Sequence, residues 1–565
     1  MKLRYLHLQG VPPLEDASIT FQQSSVLSNP LAVHFVAGVN GTGKTSLLQT
    51  ITETLLSLAR ERAALPFPMT LAYDLGNGNR RTILLIVPPA QDGEITLVEF
   101  EDVLPPDADW RTLTRLNWKT GFERSTYSVR NHYTGGDLPG AGSIEAYIPS
   151  TLIVYTSGSI LSWQQLFFDE AISTLINVEI PESSEETIER PLKWDVWKEY
   201  DHLRRTVDPK TPVPQLAPEL DITYNTLRYG VLMSSEQIKL ALCAVTLYQV
   251  IHHWAQAEEQ ESDKYPDKGF GNLLKEVDWI APTALNLTIN FQPERLTTDQ
   301  SAQLYDLIQL ANRVRREPEP GTRRLLSFDI QTAIPSNLHF RNENIVTTGQ
   351  IVHALYEILG GGQSTPYKVF KTLYDWQQTG LLTDLTLAIQ KDKVEDLILY
   401  DWLSDGERMF LGRFSLIYLL QDDDDAFIIF GEPETHFNDV WKRRLMEIVY
   451  RSLGQRASEV LISTHSSIVL TDVPSSQIIL LVKGESGVTE VIDLRNPTFG
   501  ADPSDIMINV LDTGYAGGVY SSDLINKALE RANPEELVRL LEEVSPGYWR
   551  FRIRDLLNQL NDPSH

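Results

Sequence analysis

The chain has 565 residues, 42% of them hydrophobic, which is enough for two to four domains with buried cores. Its net charge of −27 disfavours DNA binding over a broad surface, because phosphate backbones are bound by clustered lysine and arginine; a local basic groove stays compatible. The single cysteine, Cys243, lies in an apolar run and excludes a disulfide within the chain. No signal peptide opens the chain, and no apolar run approaches the roughly 18 residues of a membrane helix, so we expect a cytoplasmic protein with no membrane partner.

Residues 1–156 read mostly as strands, which predicts the first lobe of a nucleotide-binding domain carrying an extra antiparallel sheet. Alternating or continuous apolar runs separated by turn signals are typical of such strands. The strands predicted from these runs cover residues 3–9, 17–21, 31–37, 69–73, 82–87, 95–100 and 151–155.

A phosphate-binding loop of the pattern G-x-x-x-x-G-K-[ST] spans residues 38–45, between a predicted strand and a predicted helix. Its glycines would let backbone N–H groups curl around phosphate oxygens, Lys44 would reach the β- and γ-phosphates, and the Thr45 hydroxyl would ligate Mg²⁺. The sequence therefore predicts ATP and Mg²⁺ as cofactors, with Thr45 as the metal ligand. The residues predicted to contact the nucleotide are Gly38, Asn40, Gly41, Thr42, Gly43, Lys44, Thr45 and Ser46.

Residues 157–379 are predicted to form a mostly helical insertion. A capping box at residues 234–237 begins an apolar helix, and a second helix begins at Thr297 or Thr298 and is predicted to end in Arg313, Arg315 and Arg316. We interpret these arginines as a solvated helix end in preference to a nucleic-acid contact. Frequent prolines interrupt the segment, so a long coiled-coil arm is not expected.

Residues 380–500 are predicted to form a second lobe, and residues 501–565 a helical C-terminal segment. Predicted strands at 382–390, 394–400, 426–430, 460–463 and 478–482 alternate with helices at 409–420 and 440–453, which implies a parallel core sheet. The acidic run 422–425 is interpreted as a charged loop before a buried strand, with a metal site as the alternative.

These motifs together resemble the head of an ABC-type ATPase, in the branch that includes the SMC, RecF-type and overcoming-lysogenisation-defect (OLD) ATPases. Residues 403–407 match the signature loop, 428–432 the Walker B strand and 463–465 the switch-histidine loop. Residues 149–158, 431–438 and 497–500 resemble more narrowly the AAA-labelled ATPases that accompany restriction and other antiphage systems.

The resemblance implies an α/β fold, an ABC-type P-loop ATPase head with a mixed core sheet, an antiparallel sheet, a largely helical insertion and a helical tail. It also implies a head-to-head homodimer in which Ser404, Gly406 and Glu407 complete the ATP site of the partner. Glu432 would activate the attacking water, and His465 would sense the γ-phosphate. The protein would act as a sensor or regulator of a separate effector protein in a prokaryotic antiphage defence system.

Three alternatives differ in what they require. A RecF- or SMC-like DNA repair ATPase needs a positive groove, and a transporter ATPase subunit would be about half this length. An ATP-held scaffold would bind nucleotide and hydrolyse it slowly or not at all. A metal-dependent nuclease like that of the OLD family is not evident after residue 483.

The chain departs from the ABC pattern at Gly431, where Walker B strands normally carry an aspartate that holds Mg²⁺ through its water shell. With Gly431 there, Thr45 and the phosphates remain as metal ligands; the alternative is that Glu432 is drawn toward the ion at the expense of its role as base. This arrangement predicts slow basal hydrolysis and a high Mg²⁺ requirement. The glutamine that helps bind Mg²⁺ in this family has candidates by position only, Gln164 and Gln165.

Overall fold

A computed structural model describes residues 1–167 and 230–561 with short gaps. The gaps are residues 25–26, 28, 60–66, 77–78, 89–94, 135–143, 236, 258–269, 292–295, 318–321, 331–334, 341–342, 363–364, 393, 395, 422, 455, 485, 495 and 514–516.

The described residues form both strands and helices. The strands are β1 (Lys2–Val11), β2 (Leu14–Thr20), β3 (Ala32–Ala37), β4 (Met69–Leu75), β5 (Arg81–Val87), β6 (Thr96–Phe100), β7 (Val129–Thr134), β8 (Leu152–Thr156), β9 (Gly230–Met233), β10 (Trp279–Asn290), β11 (Arg313–Arg316), β12 (Arg323–Asp329), β13 (Pro335–Phe340), β14 (Glu343–Thr347), β15 (Leu382–Lys391), β16 (Ile398–Leu399), β17 (Phe427–Gly431), β18 (Glu459–Thr464), β19 (Ile478–Lys483) and β20 (Thr489–Ile492). The helices are α1 (Lys44–Ala59), α2 (Trp110–Arg115), α3 (Gly121–Thr126), α4 (Leu161–Phe167), α5 (Ile238–Ala257), α6 (Phe270–Lys275), α7 (Thr298–Leu310), α8 (Thr348–Ile358), α9 (Pro366–Gln378), α10 (Asp405–Tyr418), α11 (Asp439–Leu453), α12 (Ser467–Leu470), α13 (Pro503–Asn509), α14 (Val519–Arg531), α15 (Pro534–Glu543) and α16 (Tyr548–Asn561).

A seven-stranded core sheet has the order β20-β19-β3-β18-β17-β8-β9, in which only β20 runs antiparallel to its neighbour. Its strands are continuous apolar runs because both faces are covered, as is usual for parallel strands. Val36 and Ile429 pack with α1 and the N-terminal antiparallel sheet on one face. Phe35 and Phe430 pack with α5 and α10 on the other. The predicted mixed α/β architecture is therefore confirmed at this level.

The N-terminal antiparallel sheet has the order β2-β1-β4-β5-β6-β7. It is joined to the core sheet at Asp425, whose carboxylate accepts hydrogen bonds from the Met1 ammonium at 2.8 Å and from the Gly76 N–H at 2.9 Å. Within the acidic run, Asp425 thus has a structural role; Asp422 lies outside the described residues.

The predicted insertion contains more strand than its sequence suggested. In its described part, more residues lie in helices than in strands. However, β10, β11 and β12 form a five-stranded antiparallel sheet with β15 and β16, in the order β11-β12-β10-β15-β16. This sheet crosses the predicted boundary at residue 380, and β9 belongs to the core sheet. Residues 168–229 of the insertion lie outside the described residues.

The interpretation of Arg313–Arg316 as a helix end is wrong. Helix α7 ends at Leu310, and the arginines form β11, which pairs with β12 through Arg313 opposite Ser327 and Arg316 opposite Arg324. Alternating side chains let Val314 pack against the core while its neighbours point away, and this pairing outweighs the helical pattern before it. The predicted strand at 394–400 is likewise shortened to β16.

The last three helices form a small cluster of their own. Buried side chains of α14, α15 and α16, among them Ala528, Leu537 and Ile553, make up its core. All three helices lie in the segment 501–565, which the sequence predicts to be helical. None of the helices in the described ranges combines the length and apolar character required to cross a bilayer.

Candidate functional site

The loop between β3 and α1 has a backbone shape that its glycines permit. Gly41 and Gly43 have φ angles of 84° and 85°, in the left-handed region. At Gly38 an added Cβ would lie 2.4 Å from the Leu481 carbonyl oxygen, so only glycine fits between the loop and β19. The loop therefore begins against the core sheet and ends at the N-terminus of α1.

Lys44 is buried at the end of this loop, with 7% of its surface exposed. Its Nζ donates hydrogen bonds to the carbonyl oxygens of Gly38 at 2.8 Å and Val39 at 3.2 Å. Burial lowers the pKa of Lys44, while the nearby carboxylates of Glu432 and Glu434 oppose the shift. The ammonium is thus held in the loop by backbone carbonyls, within electrostatic range of two carboxylates.

The other predicted loop residues fall into two groups. Thr42 is buried, and its hydroxyl donates to the Val39 carbonyl at 2.9 Å, which braces the loop. Asn40 and Thr45 are exposed and Ser46 is half-buried. The Thr45 hydroxyl is therefore open to solvent at the start of α1.

Glu432 and His465 meet at the carboxyl ends of β17 and β18. His465 Nδ1 lies 3.3 Å from Glu432 Oε1, and both side chains are partly exposed. Glu432 has a φ of 51° and its N–H donates to the Ser463 carbonyl at 3.1 Å, so the chain turns sharply as it leaves the sheet. Because β18 also pairs with β3, this pair lies at the sheet edge from which the Lys44 loop emerges.

Glu434 is a site residue that the sequence analysis missed. It is 2% exposed, and its Oε1 accepts a hydrogen bond from the Thr464 hydroxyl. Its Oε2 is buried without a hydrogen-bond partner among the described residues. Burial raises the pKa of Glu434, and the Thr464 hydrogen bond opposes that shift. The signal in the sequence is a second glutamate two positions after Glu432, where a turn is the simpler interpretation.

Arg413, in the middle of the apolar helix α10, was also missed. The side chain is 2% exposed; Nε donates to the Tyr155 hydroxyl at 2.8 Å, and Nη1 donates to the carbonyl oxygens of Pro433 and Thr435. Its guanidinium lies over the rings of Tyr155 and Phe437, at 5.1 and 5.2 Å from their centroids. Arg413 thus fixes the loop that carries Glu432 and Glu434 to the helix that follows the signature loop.

The predicted signature residues lie at the exposed N-terminus of α10. Ser404 is the N-cap: its hydroxyl accepts from the Glu407 N–H at 3.3 Å, and the Glu407 carboxylate accepts from the Ser404 N–H at 3.0 Å. Burial raises the pKa of Glu407, but hydrogen bonds from Lys391 and Ser404 outweigh it and hold the pKa below its usual value. Gly406 is packed so closely that an added Cβ would lie 3.2 Å from the His436 carbonyl oxygen.

The metal-binding potential of this sheet edge depends on few protein ligands. Within the described ranges, no group of three or more His, Cys, Asp or Glu side chains could hold an ion. The orphaned Oε2 of Glu434 and the open Thr45 hydroxyl are oxygen donors of the type Mg²⁺ prefers, and Mg²⁺ needs only one or two protein ligands beside phosphates and water. The residues present therefore fit a magnesium–nucleotide complex. Gln164 is half-buried in α4, and the side chain of Gln165 lies outside the described residues.

Comparisons with known proteins name no family for this chain. No protein-family model matches it, and no curated protein does. Solved structures match with low similarity, and three SMC heads are among them. One is an SMC head bound to the C-winged helix domain of ScpA, with 11% identity, 87% of this chain and 97% of that chain covered, and a TM-score of 0.30. Another is the SMC head domain from Thermotoga maritima, with 10% identity, 88% and 100% covered, and a TM-score of 0.29.

The third is an Smc head domain with an extended coiled coil, bound to the C-terminal domain of ScpA derived from Pyrococcus furiosus, with 13% identity, 87% and 96% covered, and a TM-score of 0.28. TM-scores this low do not establish a shared fold. The function of this chain must therefore be inferred from its own residues.

Proposed function

We propose that the chain binds and hydrolyses ATP in the manner of an ABC-type ATPase. The observation that carries the proposal is the approach of Lys44, in a glycine-shaped loop at a helix N-terminus, to the Glu432–His465 pair on the same sheet edge. A buried ammonium and the backbone N–H groups of a glycine-rich loop suit the phosphates of a nucleotide, and a carboxylate at the strand end suits activation of water.

In this proposal, each residue acts on a defined part of the substrate. The backbone of residues 38–43 and the Lys44 ammonium bind the β- and γ-phosphates, and the Thr45 hydroxyl ligates Mg²⁺. When bound, Mg²⁺ offsets negative charge on the phosphates. Glu432 accepts a proton from the attacking water, and His465, which contacts Glu432, responds to the γ-phosphate.

Equilibrium binding of ATP in the presence of Mg²⁺, followed by a phosphate-release assay, tests this function. Binding with turnover is expected. Binding without turnover would favour the ATP-held scaffold, and the absence of binding would reject the proposal.

We further propose a head-to-head homodimer in which Ser404 of one protomer faces the nucleotide of the other. Ser404 is exposed at the N-terminus of α10, where a second protomer can contact it. Ser404→Arg should prevent ATP-dependent dimerisation and lower turnover at least about tenfold, while nucleotide binding persists. Light scattering with and without ATP measures the first effect, and phosphate release the second.

A matched control and a mixing experiment make this test specific. Asn533→Arg removes the cap of α15 in the C-terminal cluster and should change neither property. Mixing Ser404→Arg with Lys44→Ala protomers leaves one composite site intact and places both lesions in the other. Turnover should therefore return in the mixture. Heterodimers that form but stay inactive would contradict the trans arrangement or require both sites.

The biological role we propose is regulation of a separate effector in a prokaryotic antiphage defence system. Its support is the resemblance of residues 149–158, 431–438 and 497–500 to restriction-associated ATPases. In the host, deleting the gene and introducing Lys44→Ala should lower phage resistance to the same extent. Unchanged plaque counts in both strains would reject the role and leave the ATPase proposal standing.

A DNA-binding ATPase is the second candidate, favoured by a local basic hairpin in an acidic chain. Exposed Arg313, Arg315 and Arg316 on edge strand β11 lie beside exposed Arg323 on β12. Arginine clusters of this kind bind phosphate backbones, with an affinity that falls as salt increases.

The double variant Arg313→Glu/Arg315→Glu tests this candidate because both side chains lie on one face of β11. If DNA binds there, the variant should reduce the slope of log affinity against log salt by about 1.8, since each phosphate contact contributes about 0.9. Fluorescence polarisation with a labelled duplex measures this slope. The equally charged Arg552→Glu/Arg554→Glu variant on α16 is the control. Equal effects of both variants, or no binding at all, would reject the basic hairpin as a DNA site.

A further inference from the structure

At the proposed ATPase site, the end of β17 lacks the carboxylate that the ABC pattern has there, but a second carboxylate lies close by. Gly431 ends β17 without a side chain, so no acidic group projects from that position. Three residues later, Glu434 is almost wholly buried, and one of its two carboxylate oxygens has no partner among the described residues. A buried carboxylate oxygen without a partner is costly, so a ligand that contacts it would remove that cost.

The position of Glu434 relative to the loop is fixed by β18. Thr464 donates to Glu434 Oε1 and pairs in the sheet with Ala37, the residue that precedes the phosphate-binding loop. The Glu434 carboxylate is also close enough to Lys44 and His465 to interact with both electrostatically. The Glu434 carboxylate therefore lies beside β18, near the loop that carries Lys44.

Three basic side chains near Glu434 each make other contacts. Lys44 donates to Gly38 and Val39, and His465 contacts Glu432. Arg413 donates to Tyr155 and to the backbone of the loop that carries Glu434. A divalent cation with its hydration shell would supply the positive charge and the donors that this oxygen lacks.

We propose that Glu434 supplies the carboxylate toward Mg²⁺ that Gly431 cannot provide. This inference rests on the proposed ATPase function and assigns its metal contact to a residue outside the expected strand-end position. Glu432 then remains available to accept a proton from water. The high Mg²⁺ requirement predicted from Gly431 alone should accordingly be moderate in the native chain and should increase when Glu434 is altered.

Glu434→Gln tests the inference, because the amide keeps the size of the side chain and removes the charge. With Mn²⁺ as the probe and a non-hydrolysable ATP analogue present, the variant should bind Mn²⁺ about tenfold more weakly, as is typical when a supporting metal contact is lost. The electron paramagnetic resonance signal of free Mn²⁺ measures this affinity. Metal-free nucleotide affinity should not change. Glu542→Gln, on the exposed face of α15, is the matched control.

A second-site rescue separates a metal role from a packing role. Gly431→Asp should restore Mn²⁺ affinity in the Glu434→Gln background, because it returns a carboxylate to the strand end. An added Cβ at Gly431 would lie 3.3 Å from the Tyr155 carbonyl oxygen, so the substitution needs a small backbone adjustment. Gly431→Ala makes the same steric demand without the carboxylate and should not rescue. If Glu434→Gln fails to fold, Glu434→Asp should show intermediate weakening.

Three results would overturn the inference in distinguishable ways. Unchanged Mn²⁺ affinity in a folded Glu434→Gln protein would mean that Glu434 does not contact the metal. A matching loss of metal-free nucleotide affinity would mean that Glu434 acts through Lys44. A native chain that binds no nucleotide would overturn the proposed function and this inference together.

Discussion

Replacing Lys44 with alanine is expected to abolish ATP binding at concentrations that saturate the native chain. Lys44 is the only side-chain cation of the loop, and it is buried with its Nζ held by the Gly38 and Val39 carbonyls. In the proposed complex, the Lys44 ammonium pairs with the phosphates of ATP. Removing one partner of a buried charge pair costs about 2–5 kcal/mol of binding free energy, so we expect a loss of ATP affinity on the order of 100-fold or more. Isothermal titration with ATP and Mg²⁺ measures the loss.

The folded state of this variant should be preserved. Burial disfavours the charged ammonium, as the direction of its pKa shift indicates, so truncation removes a desolvated group from the nucleotide-free protein. Thermal unfolding without nucleotide should therefore stay close to that of the native chain. Lys527→Ala, at an exposed position of α14, is the control for loss of one positive charge. A Lys44→Ala protein with near-native ATP affinity would contradict the assignment of the phosphate-binding loop.

Glu432→Gln is expected to keep ATP binding and to slow hydrolysis by about 10²- to 10⁴-fold, the usual contribution of a general base. The amide retains the shape of the side chain but cannot accept a proton from water. Because ADP and phosphate would form slowly, the ATP-bound dimer should accumulate. Single-turnover phosphate release and light scattering with ATP measure the two consequences.

The control for this variant is Glu447→Gln on α11, which removes a carboxylate that pairs with Arg444 and Arg451 on the surface. Such exposed ion pairs contribute little, so binding and turnover should be native. If Glu432→Gln hydrolyses ATP at the native rate, Glu432 is not the base. If light scattering of this variant with ATP detects only the species present without ATP, slow hydrolysis does not trap the dimer.

Both substitutions concern positions that local sequence determined. The loop at 38–45 is a contiguous pattern between an apolar strand and a helix, and the structure gives that loop the positive φ angles that its glycines allow. Continuous apolar runs predicted β3, β17, β18 and β19 to within a few residues, because strands covered on both faces carry little polar sequence. The helix predicted at 409–420 was also found, but it begins four residues earlier, at Asp405, because Ser404 and Glu407 form its N-terminal cap.

Other features depend on contacts between separate segments of the chain, and only the tertiary structure reveals them. Strand β11 forms because β12 pairs with it, although the preceding residues are helical. Arg413 interrupts an apolar helix, and only the fold shows that its guanidinium holds Tyr155 and the loop after β17. Glu434 follows Glu432 in what reads as a turn, yet the packing of β17 against β18 buries it beside Thr464. These contacts join separate segments, 30 residues apart for Glu434 and Thr464 and 258 residues apart for Arg413 and Tyr155. Only tertiary packing therefore distinguishes a surface turn from a buried carboxylate at this edge of the sheet.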